Sequence, residues 1–348
     1  MGATCSTIWN EIPPLIDFYP PCPASYTTLL NIFQYFPLFT LLQWIISWHP
    51  AGKTSLQSSI FNLPGRIAWC IMEIIGPINL IYNLSLSSPS FSELGVSKQL
   101  VASLYCFHYL NRAIISPFFS APSMSPIHVF IMLSAMAFNW INSSCLSGWL
   151  RGLPVAIPGF QTDGSGALYS STSSRLLLAL PVIGAALFTI GMAGNIYSEN
   201  SFFHLRRQEA EKQAKKSDSA ESSIEFHKVY AIPPVKGVFS SILYPHYVFE
   251  WIEWSGFMLV GISVFPLGGF VQYAAVTPPL RPAPWVVPFV WAADFLAIPL
   301  PLPAVLFLIN AIANMLPRAR WGRRWYVEKF GEEAVAGRGA VVPWCSWM

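Results

Sequence analysis

Residues 100–119 read LVASLYCFHYLNRAIISPFF, twenty residues with Arg112 as their one formal charge. About 20 apolar residues are enough for a helix to cross a hydrocarbon core, so the run reads as a membrane helix. Its centre, Phe107-His108-Tyr109-Leu110-Asn111-Arg112, nevertheless places an imidazole, a phenol and a guanidinium where hydrocarbon is expected. Polar groups at that depth are costly and commonly have a task.

The rest of the chain agrees with a membrane reading. Of 348 residues, 53% are hydrophobic and 11% charged, against about 25% charged in an ordinary soluble domain; the mean hydropathy is +0.47. Apolar runs occur at about 29–48, 67–86, 100–119, 126–146, 176–196, 247–271 and 285–316. They predict an all-α, polytopic membrane bundle of about seven transmembrane helices. Pro288, Pro299, Pro301 and Pro303 make the seventh either one kinked helix or a broken pair, because proline removes a backbone donor and strains the turn before it.

Charge gives the orientation. Of the 20 Lys and Arg residues, only Lys98, Arg151, Arg175 and Arg281 follow even-numbered runs. Positive loops stay in the cytosol, so the amino terminus is expected in a lumen and the carboxyl terminus in the cytosol. This divides the chain into a luminal segment, 1–28, and a membrane domain, 29–348. Residues 1–25 hold Glu11 and Asp17 but no Lys or Arg, and lack the basic start of a cleavable signal peptide. The cytosolic stretch 206–228 is rich in Glu, Lys, Gln, Ala and Ser without an apolar face. It reads as a solvated helix end or a disordered insert. The six cysteines show no paired spacing for zinc or a redox dithiol.

Four constellations bear chemistry. Glu73 is a carboxylate about two turns into the second run, and an acid there is paired, protonated or facing a polar cavity. Tyr109 is either a proton donor to a carbonyl oxygen or an interfacial aromatic. Gly191, Gly194, Asn195 and Glu199, running into Arg206, form either a helix-packing motif with a capped end or a polar set for a nucleotide's ribose and phosphate. His246, Glu250 and Glu253 make a polar stripe on an otherwise aromatic and aliphatic helix. Six histidines without a histidine cluster do not favour a metal centre, and no G-x-G-x-x-G follows a strand, so a Rossmann domain is not indicated.

In combination these residues resemble the membrane-bound steroid 5α-reductases and the broader group with polyprenol and trans-2-enoyl-CoA reductases. Pro64-Gly-Arg66-Ile-Ala-Trp69 with Glu73 is similar to the family's P-x-R-x-A-W-x-x-x-E element, and His108-Tyr109 with Arg112 to its H-Y-x-x-R. Tyr230-Ala-Ile-Pro233, Gly237-Val-Phe239, Tyr247-Val-Phe-Glu250 and Glu253-Trp254 resemble its carboxyl-terminal signature, which lies in 176–348. The tail from Arg318-Ala319 through Trp325-Tyr326 to Val342-Pro343-Trp344 fits the terminal pattern.

The resemblance implies a seven-helix NADPH-dependent reductase of the endoplasmic reticulum. It would reduce the C=C bond of a conjugated enone in an apolar lipid substrate, most plainly a 3-oxo-Δ4-steroid or sterol. Polyprenol or trans-2-enoyl-CoA reduction on the same scaffold is the alternative, and a non-catalytic lipid-binding or transport protein is another, without the inverted repeats usual in transporters. Neither metal nor nucleic acid is implied as a partner. By resemblance Glu73 and Tyr109 match the carbonyl-binding pair, while Asn195, Glu199, Arg206, His246, Glu250, Arg318 and Tyr326 match cofactor-lining positions. Glu199 stands where the steroid enzymes usually carry aspartate, and His246 where they carry asparagine, a histidine that resembles the polyprenol branch. The family's basic residues before the fourth run are missing between Ser116 and Ser134, leaving Arg112, Arg206 or Arg323 to supply charge to a phosphate.

Overall fold

The computed structural model describes residues 12–47, 49–56, 59–86, 91–157, 171–216, 226, 229–265 and 279–347. Outside them lie 1–11 of the predicted luminal segment, Trp48, 217–225 and 227–228 of the polar loop, and 266–271 of the sixth run.

Helices make up 72% of the described chain. The first run holds two of them, α1 (Pro23–Gln34) and α2 (Phe36–Ile45), where one was expected. Pro37 explains the break, because it has no N–H and its ring excludes the carbonyl four residues back. The carbonyls freed there are taken by other side chains: Asn310 Nδ2 donates to Phe33 O at 2.9 Å and Trp285 Nε1 to Gln34 O at 2.7 Å. Backbone groups at membrane depth require such partners.

The second and fourth runs form α3 (Gly65–Ser85) and α5 (Val129–Arg151). The third forms α4 (Val96–Leu110), which continues as a π-helical segment, Asn111–Ser120. The fifth is α6 (Ser171–Lys216), a single helix that runs some twenty residues past the predicted apolar end. The first part of the polar loop is thus a helix end, one of the two outcomes expected. The sixth gives α7 (Pro245–Gly261). The seventh is a broken pair, α8 (Val287–Phe295) and α9 (Leu302–Phe330), separated by a stretch containing Pro299 and Pro301. A short α10 (Glu332–Val335) follows.

Among the described residues, four helices are long and apolar enough to cross a membrane: Gly65–Ser85, Val129–Arg151, Arg175–Lys215 and Leu302–Phe330. The only paired strands among the described residues are β1 (Asn62–Leu63) and β2 (Ile127–His128), which tie the loops before α3 and α5 together. The protein is an all-α membrane protein.

Two seams position the site. Helices α6 and α7 meet backbone to backbone: a side chain at Gly191 would run into the backbone nitrogen of Glu253, and one at Gly256 into that of Phe188. Helices α3 and α5 meet through amides and hydroxyls. Asn79 Nδ2 donates to Ser143 Oγ at 2.8 Å and Ser144 Oγ at 2.9 Å, and Asn83 Nδ2 to Asn79 Oδ1 at 3.2 Å. Between the seams lies an aromatic core of Tyr105, Trp254, Phe257 and Phe307. The tail after α9 is held by Arg338, which is buried and donates to the carbonyls of Pro233, Phe239, Ala334 and Val335.

Candidate active site

The two seams bring polar side chains from five helices to one buried place. From α4, Tyr109 donates its hydroxyl to Asn139 Oδ1 on α5 at 2.8 Å. Asn139 Nδ2 donates to Met72 O at 2.7 Å and to Glu73 Oε2 on α3 at 3.3 Å. One amide therefore links the phenol to the carboxylate, and the linking residue is 3% exposed.

Beside this link sits Arg112, where the π-helical segment begins. Wide turns of this kind recur at functional sites. Its Nη1 bonds Glu199 Oε1 at 2.8 Å, its Nε lies 3.7 Å from Glu73 Oε1, and Ser116 Oγ donates to Glu199 Oε2 at 3.1 Å. The guanidinium also rests 4.7 Å from the Trp69 ring centroid, while Trp69 Nε1 donates to the Arg112 carbonyl at 3.0 Å. The carboxylates acting on Arg112 are Glu250, Glu199 and Glu73. A buried charge with one partner removed is strongly destabilising, so this arginine fixes three helices around itself.

On the other side, Asn195 Nδ2 donates to Glu250 Oε2 at 3.2 Å and to the carbonyl of His246 at 3.1 Å. His108 Nδ1 lies 2.8 Å from Glu253 Oε1, and its ring stands 4.4 Å from Trp254. Glu253 Oε2 is buried with no hydrogen-bond partner among the described residues. The glycine pattern at 191–194 thus serves both readings that the sequence left open: it packs α6 on α7, and the close approach delivers Asn195 to Glu250.

Arg318 of α9 completes the group. The charged groups near it are Glu73 and Arg112, and its Nε is buried without a hydrogen-bond partner among the described residues. An unspent guanidinium donor in such a place fits a ligand with oxygen acceptors. Outside the spans, burial and then the Arg318 charge hold the His49 imidazole down to about 3, so His49 is neutral and adds no positive charge.

The structure gathers Glu73, Tyr109, Asn195, Glu199, Glu250 and Arg318 of the predicted residues. It sets Arg206 and Tyr326 apart, seven and eight residues further along α6 and α9, which is about 10–12 Å of helix. Arg206 donates to Val229 O at 3.3 Å, Ser123 O at 3.1 Å, and Ser123 Oγ and Phe226 O at 2.8 Å. Tyr326 is buried against Tyr244 and Phe330. The His246 ring packs on Phe202 and Tyr247, and its backbone carbonyl rather than its ring serves Asn195. Arg323 is taken up by Glu332 at 3.0 Å and the Arg338 carbonyl at 2.8 Å. Sequence reasoning missed Asn139; the signal was the polar stretch Asn139, Asn142, Ser143 and Ser144 inside an apolar run. Among the described residues no group of three His, Cys, Asp or Glu side chains is placed to hold a metal.

No family model matches the chain. Individual relatives do. An uncharacterized protein of Schizosaccharomyces pombe is 26% identical over 84% of this chain and 90% of its own length. Steroid 5-alpha-reductase DET2 of Solanum lycopersicum is 26% identical over 88% of this chain and 91% of its own. The 3-oxo-5-alpha-steroid 4-dehydrogenase 1 of Rattus norvegicus is 22% identical over 95% and 98%. The chain is thus similar to proteins named as steroid 5-alpha-reductases from a plant and a mammal, each matched along nearly its whole length.

Proposed function

We propose that this protein is an NADPH-dependent reductase of the endoplasmic reticulum membrane that saturates the C=C bond of a conjugated enone in a lipid, most plainly a 3-oxo-Δ4-steroid. The observation that carries the reading is the Tyr109–Asn139–Glu73 link, a phenol and a carboxylate joined by one amide in a dry seam. The relatives named for steroid reduction support the substrate class. Seven crossings, a luminal amino terminus and a cytosolic carboxyl terminus follow from the seven apolar runs and the charge bias.

A bound nicotinamide would supply hydride to the β-carbon. Everything else falls to the protein. Tyr109 turns its hydroxyl from Asn139 Oδ1 to the substrate carbonyl, stabilising the oxygen as it gains negative charge, and the α-carbon then takes a proton from solvent as the carbonyl re-forms. A donor fixed in a water-excluded site is worth far more than one in water. Glu73, held by Asn139 and Arg112, orients this hydrogen-bonding set. The residues suited to the cofactor are Asn195, Glu199, Glu250 and Arg318, and the unpartnered Arg318 Nε fits an oxygen of that ligand.

The test is cofactor oxidation by the purified protein in lipid nanodiscs, given a panel of enone steroids, polyprenol-derived enals and enoyl thioesters. Mass spectrometry should find a product two hydrogens heavier from the enone steroids. Products from the enals or thioesters alone would move the substrate to that branch of the family. No oxidation with any of the three would overturn the reading.

A further inference from the structure

Arg320, Arg323 and Arg324 fall within one stretch of α9, and their partners separate them. Arg323 is buried and taken up by Glu332 and the Arg338 carbonyl. Arg320 has one long hydrogen bond, from Nη1 to Trp44 O at 3.4 Å. Arg324 is exposed and makes no hydrogen bond among the described residues. A guanidinium carries five N–H donors, so these two keep most of theirs free. Neither forms an ion pair among the described residues, although Glu328 lies one turn beyond Arg324.

What the two share is an indole. The guanidinium of Arg320 lies 5.3 Å and that of Arg324 4.7 Å from the Trp321 ring centroid, within reach of a cation–π contact. Arg320 also stands 6.0 Å from the Trp44 ring. The Trp321 ring is fixed in place: its Nε1 donates to Gln43 O at 2.6 Å, and Gln43 Nε2 donates to Asn314 Oδ1 at 3.2 Å. Trp321 and Arg320 thus satisfy carbonyls at the end of α2, which a helix leaves unpaired. That capping accounts for Arg320 in part and for Arg324 not at all.

The surroundings are those of a membrane boundary. Towards its end α2 exposes Phe39, Leu42, Ile45 and Ile46, side chains suited to lipid tails. Exposed Ser47 follows at once. Tryptophans gather where hydrocarbon gives way to headgroups, and arginine stems lie along apolar surface with the charge held at the polar edge.

We propose that Arg320 and Arg324, laid against Trp321, form a binding site for the headgroup of an anionic phospholipid whose acyl chains cover the apolar end of α2. Guanidinium forks with free donors match phosphate oxygens. Two cations without a carboxylate partner favour a headgroup that brings no cation of its own, such as phosphatidylinositol, over phosphatidylcholine. The charge bias of the chain assigns this end of α2 and α9 to the cytosolic leaflet, the anionic one. Binding here requires nothing of the reaction proposed above.

Native mass spectrometry reads the preference directly, with the full-length protein in mild detergent offered equimolar phosphatidylinositol and phosphatidylcholine. The wild type should retain phosphatidylinositol selectively. Arg320→Gln and Arg324→Gln should each lower that retention by about fivefold, the effect of one basic residue at an anionic surface, and the double variant by more. Lys212→Gln, at an exposed position on α6, reports general surface charge and should stay within about twofold of the wild type. Where Arg320→Gln loosens the end of α2 and lowers Tm, Arg324→Gln decides, because Arg324 is exposed and should be replaced without loss of Tm. A wild type with no preference, an Arg324→Gln variant that retains phosphatidylinositol as the wild type does, or a Lys212→Gln variant that loses as much would each overturn the site and leave the proposed function standing.

Discussion

The α6–α7 seam and the α3–α5 seam converge on the same site but hold it in different ways. The first sets register by shape, with Gly191 and Gly256 admitting the neighbouring backbone. The second sets register by polarity, with Asn79, Asn139, Ser143 and Ser144 bonded across the interface. Lipid tails are as apolar as leucine, so neither seam gains from hydrophobic burial, and close packing and hydrogen bonds are what remain. A shape seam tolerates no added volume. A polar seam tolerates volume better than it tolerates the loss of a partner.

The largest effect should come from breaking the shape seam. Gly191→Val puts a branched side chain against the Glu253 backbone, and nothing there is a flexible chain end that could move aside. Overpacking costs about 1–3 kcal/mol in soluble cores and occasionally more; here the obstacle is backbone and the site depends on it. The variant should yield little monodisperse protein by size-exclusion chromatography. A well-folded Gly191→Val with normal Tm would show that the two helices are not in register through this contact.

Next come the chemical groups at the edge of the polar seam. Tyr109→Phe and Glu73→Gln should each lower kcat of enone reduction by about 10²- to 10⁴-fold, the range of general acid catalysis, with Tm nearly unchanged. Arg112 keeps Glu199 at 2.8 Å when the more distant Glu73 is neutralised. Retained activity in both variants would remove these residues from the reaction.

The two seams also differ in how far they could be read beforehand. Glycines three residues apart, Gly191 and Gly194, announce a close helix contact by type alone, and the carboxylates, Tyr109 and the arginines stand out as polar letters in apolar text. The break at Tyr35 was harder to see, because Pro37 lies within a continuous apolar run and the partners that satisfy the freed carbonyls, Asn310 and Trp285, are some 250 residues away. Asn139 was harder to single out for a related reason: its polar stretch is visible, but an amide in a helix has no chemistry of its own until its neighbours are known.

Asn139 tests whether the polar seam serves the chemistry or only the packing. Asn139→Leu removes the acceptor of the Tyr109 proton and the donor to Glu73 together. We expect kcat to fall by about 10- to 100-fold with KM little changed, because the phenol loses its orientation but not its place. A purely structural residue would lower Tm and the amount of active protein while leaving kcat per folded molecule alone.

The smallest effects distinguish two amides one turn apart in the same seam. Asn79 donates to Ser143, Ser144 and the Trp140 carbonyl, so Asn79→Leu leaves several buried groups short of a partner. Interhelical hydrogen bonds in membranes are worth about 0.6 kcal/mol each and at most about 1.7, which places the loss near 1–2 kcal/mol. Asn83, fully buried, has one donated bond, to Asn79, and its Oδ1 has no hydrogen-bond partner among the described residues. Replacing it with leucine removes one bond and one unsatisfied acceptor at once, and a buried acceptor without a partner costs about as much as the bond contributes. Asn83→Leu should therefore match or exceed the wild-type Tm where Asn79→Leu falls below it. Equal destabilisation by both would mean that Asn83 Oδ1 is satisfied, by a buried water bridging it to the seam, and that the polar seam is hydrated along its length.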